Sequence, residues 1–379
     1  MTSVFGGGHV FRDVAIADEL KKILPSDFEI IFASGGNAYE MLEAEGLQVE
    51  RIPGMEIPAH MGKVHFFRCY LLALWSEFLQ LFYLRNMINK YHPCLIVLDE
   101  YFFLTDYCRF RKIPVVFICD FLGIPECSIW RNPIRSLLEK VFDWSIVNWQ
   151  ARRTERWIFT GDIDQVPRQD WRTRARKLDI VMVEPITKLQ YTPLPERAKA
   201  RHNLGFDDTE KVVTVAVGCA GVGEYLLDAA NAAASLLSDR VAGLRIELVC
   251  GKGIDSTSLR RIAGPGVRVH DYVRNFQDFV AASDAAIIQC GFTTTIEYIM
   301  AGVPIVAIPL ANHWEQANTA RYVAQKFGVK TIDALGVSPE VLAEAMFELL
   351  SQPRQQKSPF RGDGHILAAR TIADVLKTT

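Results

Sequence analysis

Short apolar runs alternate with amphipathic stretches along most of the chain. The runs at 28–33, 95–98, 115–118, 157–159 and 180–183 are continuous and mostly rich in Val and Ile, as are later ones at 212–217, 245–249, 267–269, 285–288 and 305–307. Such runs predict strands buried on both faces, the habit of parallel sheets. Between them, 13–24, 225–237 and 339–350 place apolar residues at helical spacing. Strands alternating with helices predict βαβ units. The polar stretch 184–203, with Pro185, Pro193 and Pro195, breaks the rhythm and reads as a linker. The alternation then starts afresh. The expected organisation is α/β, with one domain over 1–186, a linker over 187–203, a second domain over 204–358 and a terminal helix within 359–379.

A length of 379 residues suits two domains. Lys and Arg total 42 against 44 Asp and Glu, a net charge of −2 that argues against a dedicated nucleic-acid binder. An apolar content of 49% excludes a disordered chain. The mean hydropathy of +0.09 keeps a membrane role in view. No two of the eight cysteines are spaced C-x-x-C, so they read as buried reduced thiols. The eight histidines form no H-E-x-x-H and no zinc site is expected. The first residues lack a basic region followed by an apolar core, which makes the cytoplasm the default compartment.

Phe5 is followed by Gly6, Gly7, Gly8 and His9, then a helical pattern. Strand, glycine turn and helix present backbone N–H groups to a ligand. His9 on such a loop suits proton removal near neutral pH, and reads equally as a surface or capping histidine. A second glycine loop, from Gly218 through Cys219, Ala220 and Gly221 to Gly223, opens the second domain.

The segment 282–328 is the most informative. A strand at 285–288 enters a turn at Cys290-Gly291-Phe292, and a helix starts near Thr294. Thr294 and Glu297 have the S/T-x-x-E spacing of a capping box. Gly291 allows close approach, and the N–H groups that follow favour an anion such as a diphosphate, with Thr293 and Thr294 as added donors.

Gly291, Thr293, Thr294 and Glu297, then Gly302-Val303-Pro304, Pro309-Leu310 and Glu315-Gln316, resemble the donor signature of GT-B nucleotide-sugar glycosyltransferases. The likeness is to the UDP-glycosyltransferase superfamily and to the N-acetylglucosaminyltransferase family that completes lipid II. Gly7-Gly8-His9-Val10 and His270-Asp271-Tyr272-Val273 extend it, whereas Glu184 departs from a common Gly-Pro. The resemblance implies two facing Rossmann-like doubly wound domains and a UDP-sugar co-substrate without other cofactor. It implies that Glu297 bonds the ribose, that Gly291, Thr293 and Thr294 lie along the diphosphate, and that Gly218 and Phe292 belong to the donor site. Gln316 and Glu315 would contact the sugar, Tyr272 and Val273 would border the uracil, and Gly7, Gly8 and His9 would meet the acceptor or its phosphates. Where the family places Asn three residues after the Gln, this chain has Thr319, with Asn318 one position early; Cys219 and Ala220 stand where a hydroxyl often reaches phosphate.

Inverting displacement follows from that likeness: His9 deprotonates an acceptor hydroxyl, which attacks C1 as UDP leaves. Asp99, Asp106 and Asp120 follow strands or lie on their exit loops and are candidates to orient His9; Asp106 most resembles the dyad aspartate of the plant enzymes. The stretch 66–88 is apolar but holds Arg68, Glu77 and Arg85; a charge near its centre excludes a span. It reads either as a core helix or as one lying on an anionic membrane with Lys63, Arg68, Arg85 and Lys90 near headgroups. The basic stretch 152–177, interleaved with Trp157 and Trp171, reads as a solvated face or as part of the same surface. The expected function is transfer of a hexose or N-acetylhexosamine to a lipid-linked or cell-envelope acceptor at the inner face of the plasma membrane. The alternatives are a soluble natural-product acceptor, a nucleotide-sugar epimerase and a non-catalytic nucleotide-sugar-binding scaffold.

Overall fold

The Val- and Ile-rich runs form the centres of two parallel sheets in a computed structural model, which describes residues 1–379 except 5–6, 55–58, 61, 102–103, 121, 123–152, 168, 219–221, 252, 356–357 and 379. The chain divides into two units: an N-terminal unit of Met1–Met55, Phe67–Ile186 and Gly362–Thr379, and a C-terminal unit of Glu56–Phe66 and Thr187–Arg361. The fold is α/β with a parallel sheet in each domain and a C-terminal helix.

The N-terminal unit begins with α1 (Gly7–Ile23), β1 (Phe32–Ser34), α2 (Gly36–Ala44) and β2 (Val49–Arg51). Strands β1 and β2 pair in parallel. Of the expected strand at 28–33 only its end is sheet, because residues 28–31 are exposed or half-buried. The short hairpin β3 (Ala59–His60) and β4 (Lys63–Val64) belongs to the C-terminal unit, and its two-residue strands were too short to read from periodicity. Then come α3 (Phe66–Tyr91), β5 (Ile96–Asp99), α4 (Thr105–Phe110), β6 (Val115–Cys119), β7 (Arg156–Thr160), α5 (Gln169–Lys177) and β8 (Val181–Val183). Strands β5-β6-β7-β8 form one parallel sheet. Thr2 N–H donates to the Ala33 carbonyl at 3.0 Å and Asp99 N–H to the Met1 carbonyl at 3.0 Å, so the first residues run between β1 and β5.

The stretch expected as a linker holds a 3-10 turn at Lys188–Gln190 and α6 (Arg197–Leu204). The C-terminal unit continues with β9 (Lys211–Ala216), α7 (Glu224–Leu237), β10 (Leu244–Val249), α8 (Thr257–Arg261), β11 (Val267–His270) and α9 (Phe276–Ala282). After these run β12 (Ala285–Ile288), α10 (Phe292–Met300), β13 (Ile305–Ala307), α11 (Trp314–Phe327), β14 (Lys330–Thr331) and α12 (Pro339–Leu350). The sheet order is β11-β10-β9-β12-β13-β14, all parallel. Strand order reverses between β9 and β12, which makes their C-terminal ends a topological switch point, where open α/β sheets bind ligands.

The terminal helix α13 (Gly364–Thr378) returns to the N-terminal unit and packs on α1, β7 and β8. Glu184 is what receives it. Its carboxylate accepts the Gly362 N–H at 2.8 Å, and any Cβ at Gly364 would lie 2.0 Å from the Glu184 carbonyl oxygen. The departure from Gly-Pro at this point is thus tied to how the chain re-enters.

The long helix α3 has two faces. Ser76, Gln80, Leu84 and Ile88 are buried, whereas Leu71, Trp75, Phe78 and Phe82 are 50, 60, 53 and 51% exposed. It is therefore a core helix on one side only. Trp157 and Trp171 lie in the core of the N-terminal unit, whereas Arg156, Arg174 and Arg176 of the same basic stretch are exposed; the tryptophans add nothing to a membrane-facing surface. Among the described residues no helix is long and apolar enough to cross a membrane.

Candidate functional site

Helix α1 starts at Gly7, six residues earlier than periodicity suggested, because glycines disguise a helical first turn. Gly7, Gly8 and His9 therefore lie in that turn rather than in an open loop, and Gly6 falls outside the described residues. His9 is buried. Its Nδ1 lies 3.2 and 3.3 Å from the two carboxylate oxygens of Asp99, the last residue of β5. Its Nε2 lies 3.7 Å from the carboxylate of Glu100. Glu100 has φ +59°, a strained backbone for a residue with a side chain, at the end of a strand.

Arg12, one turn after His9 and equally buried, ties the cluster together. Its guanidinium donates to Asp99 at 2.5 and 3.3 Å, to Asp120 at 3.0 Å and to Thr160 Oγ1 at 3.0 Å. One nitrogen, Nη2, also lies 2.7 Å from His9 Nδ1. Nδ1 thus sits between an acceptor and a donor. Protonated, it donates to Asp99 and shares that carboxylate with Arg12; with its proton on Nε2 instead, it accepts from Arg12. Asp99 is the candidate that meets His9. Asp106 does not serve as its orienter: it is half-exposed at the start of α4 and pairs with Arg153 at 2.6 Å. Asp120 reaches the histidine only through Arg12.

Burial alone would lower the His9 pKa, but the charge of Asp99, the strongest of its neighbours, leads the interactions that outweigh burial and raise the pKa to about 10. Burial opposes ionisation of Asp99, yet Arg12 and His9 hold its carboxyl down at about 2. Burial first, and Asp120 next, push Glu100 well above the usual carboxylate range. His9, Asp99 and Glu100 bring ligand atoms within 4.8 Å of one another. The Arg12 guanidinium already touches both His9 and Asp99, and supplies there the positive charge a metal ion would bring. The group therefore reads as an acid–base cluster.

In the C-terminal unit, the expected donor residues lie at the C-terminal edge of one sheet. Gly218 follows β9, Tyr272 and Val273 follow β11, and Gly291 follows β12 across the switch point. Cys219 and Ala220 fall outside the described residues. Helix α10 begins at Phe292 with Gly291 as its N-cap, and no side chain caps it. The Thr294–Glu297 capping box does not form, because Thr294 is already inside the helix. Thr293 and Thr294 sit half-buried in the first turn, whose N–H groups lack intrahelical partners. Cys290, just before the turn, has φ +42°.

Glu297 is buried, and one oxygen accepts the Lys188 N–H at 3.2 Å. Burial pushes its carboxyl up to about 7, against the pull of that N–H. Lys188 Nζ donates to the Arg274 carbonyl at 3.1 Å, so one residue ties Glu297 to the segment after Val273. Neither Lys188 nor Arg12 was singled out from sequence. The three-residue spacing from His9 was a signal for Arg12; Lys188 sits in a polar stretch and had none. Glu315 and Gln316 form the first turn of α11, and Gln316 Oε1 accepts the Leu310 N–H at 2.8 Å. Asn318 accepts from Arg321 at 3.1 Å, and Thr319 is buried.

Residues 212–374 match the glycosyltransferase family 28 C-terminal domain. An uncharacterized glycosyltransferase of Methanopyrus kandleri is 24% identical over 371 residues, covering 96% of this chain and 100% of that one. The UDP-N-acetylglucosamine–N-acetylmuramyl-(pentapeptide) pyrophosphoryl-undecaprenol N-acetylglucosamine transferase of Bacteroides fragilis is 22% identical over 84% of this chain and 77% of its own. The solved glycotransferase of kitacinnamycin superposes with a TM-score of 0.67 at 18% identity, over 97% of this chain and 96% of that one. The chain has the fold of GT-B glycosyltransferases and carries, over residues 212–374, a glycosyltransferase family 28 C-terminal domain.

Proposed function

We propose that this enzyme moves a hexose or N-acetylhexosamine from a UDP-sugar, with inversion at C1, to a hydroxyl of a lipid-linked or cell-envelope acceptor. One observation carries the donor half: the bare N-terminus of α10 at the switch point, with buried Glu297 on the same helix. N–H groups without partners and the helix dipole favour a diphosphate, and a carboxylate suits a ribose diol. In this reading Gly218, Gly291, Phe292, Thr293 and Thr294 line the diphosphate, Tyr272 and Val273 border the base, and Glu315 and Gln316 meet the sugar. His9 Nε2 takes the acceptor's proton as the oxygen bonds to C1. The bond from C1 to the phosphate oxygen breaks, and UDP leaves with its electron pair. Asp99 stabilises the imidazolium so formed, and the α10 N–H groups stabilise the charge on the leaving diphosphate.

Calorimetric titration with UDP, GDP, TDP and ADP, without added metal, tests the nucleotide. UDP is expected to bind about tenfold or more tighter than the others, a difference of about 1.4 kcal/mol. Equal binding of all four, or none, overturns the UDP assignment.

The acceptor assignment is supported by α3. Leu71, Trp75, Phe78 and Phe82 recur at spacings of four, three and four, so they line one exposed stripe. Exposed Arg68 and Arg85 flank it. An apolar stripe edged by cations suits an anionic lipid surface. The Bacteroides relative is named for a pyrophosphoryl-undecaprenol substrate, which fits that reading. The protein should float with vesicles rich in phosphatidylglycerol, and the Trp75→Glu, Phe78→Glu double variant should stay in the soluble fraction. A wild-type chain that stays wholly soluble with such vesicles sinks the membrane assignment.

A further inference from the structure

The hairpin β3–β4 leaves the N-terminal unit, pairs within the C-terminal unit, and returns. Its contacts are specific. Val64 N–H donates to the Ala311 carbonyl at 3.0 Å and Ala311 N–H to the Gly62 carbonyl at 2.8 Å, so Lys63 and Ala311 form a parallel bridge. Asn312, at φ +68°, reaches the Val64 carbonyl with its side-chain amide at 3.5 Å. On the other side of the same loop, Leu310 N–H donates to Gln316 at 2.8 Å, and His313 caps α11 by accepting the Gln316 N–H at 3.4 Å. The loop 310–313 is thus gripped from two sides, by the hairpin backbone and by Gln316.

The tip of the hairpin reaches a second loop. Gly62 is buried at φ +74°, and a Cβ there would lie 3.0 Å from the Tyr225 ring and 3.2 Å from the Ala334 side chain. Tyr225 opens α7, directly after the glycine loop that ends at Gly223. One short hairpin therefore packs against the start of the helix after the glycine loop and bonds to the loop that leads into Glu315 and Gln316. A generic surface hairpin needs neither contact.

We infer that the hairpin is a positioning element for the donor sugar: Gly62 and Val64 set the loop 310–313, and through it the places of Glu315 and Gln316. The inference rests on the donor-site reading above. Nucleotide binding uses other residues at that sheet edge, so the hairpin should tune the sugar and leave the nucleotide alone.

The test uses the full chain and two variants. Gly62→Val puts a β-branched side chain at a left-handed backbone position and against Tyr225. Asn312→Gly keeps the backbone freedom and removes only the side-chain bond. Dissociation constants are measured for UDP, UDP-glucose, UDP-N-acetylglucosamine and UDP-galactose. In both variants the ratio between the best and worst sugar is expected to shrink, by roughly tenfold for Gly62→Val and by a few-fold for Asn312→Gly, as a misplaced polar contact predicts. The UDP constant should stay within about twofold of the wild type. If Gly62→Val fails to fold, Asn312→Gly carries the test. Folded variants that keep the full sugar preference overturn the hairpin proposal and leave the donor site standing. A wild type that binds UDP but shows no preference among the three sugars overturns the sugar-contact reading, and the hairpin proposal with it. An equal fall in UDP and UDP-sugar affinity marks a merely structural role and also overturns it.

Discussion

His9→Ala should lower kcat/KM by about 10²–10⁴, the range for a general base, while the UDP dissociation constant moves by less than about twofold. The two halves of that expectation come from different places. His9 belongs to a buried acid–base cluster in the N-terminal unit, and the residues assigned to UDP all stand at the sheet edge of the C-terminal unit. On the proposed assignment, losing the imidazole would remove the proton acceptor and leave the residues assigned to the nucleotide in place. A variant with near wild-type turnover would end the assignment of His9 as base.

The pH profile sharpens the test. With a pKa near 10, His9 is almost wholly protonated at neutral pH, and a base acts only when neutral. For the free enzyme, kcat/KM should therefore climb about tenfold per pH unit above neutrality and level off near 10. His9→Ala should lose that limb. Asp99→Asn removes the chief charge that holds the proton on, so the limb should move to lower pH even as the maximal rate falls with the lost orientation. It also leaves Arg12 without its shortest partner, so the profile is read on folded protein only. A wild-type profile that is flat over this range would show that the proton is removed by another group.

Much of this architecture was legible because the chemistry is local. Val and Ile runs announce most of the buried strands, and β12 and β13 fall where periodicity placed them, although the run at 28–33 is sheet only at its end. His9 stood out because a histidine follows a glycine run; Asp99 was one of three aspartates at or after strand ends, with Asp106 the one favoured by resemblance, and nothing local separates them. What escaped depends on contacts distant in sequence. Glu184 gains meaning only when Gly362 returns to it, and Lys188 only when Glu297 is beside it. The start of α10 was misplaced because three successive threonines offer several capping positions, and the fold takes none of them. The basic stretch 152–177 misled for a related reason: strand and helix periods turn Trp157 and Trp171 inward, which a count of charges does not register. The hairpin at 59–64 is too short for either period to show.

Glu297→Ala is expected to weaken UDP binding by about 3–6 kcal/mol, roughly 10²–10⁴-fold, the worth of two hydrogen bonds to a charged acceptor. A carboxylate offers about four lone-pair sites, so Glu297 can keep the Lys188 N–H and still accept both ribose hydroxyls. It must be ionised to do so. Burial places its pKa near 7, above the ordinary 4.5, so at acidic pH the folded protein holds this group neutral and binding must first expel a proton. Affinity should therefore rise with pH, by up to about tenfold per unit below 7, and become flat above it. UDP-glucose is the right probe for the slope. Its diphosphate is esterified at both ends and has no proton of its own to lose in that range, whereas the terminal phosphate of UDP titrates near 6, roughly as other phosphate monoesters do. Glu297→Gln keeps the shape, cannot ionise, and should bind weakly with no slope. A slope that survives in Glu297→Gln would mean that another group ionises on binding, and a Glu297→Ala chain that holds UDP as tightly as the wild type would remove the ribose from this carboxylate altogether.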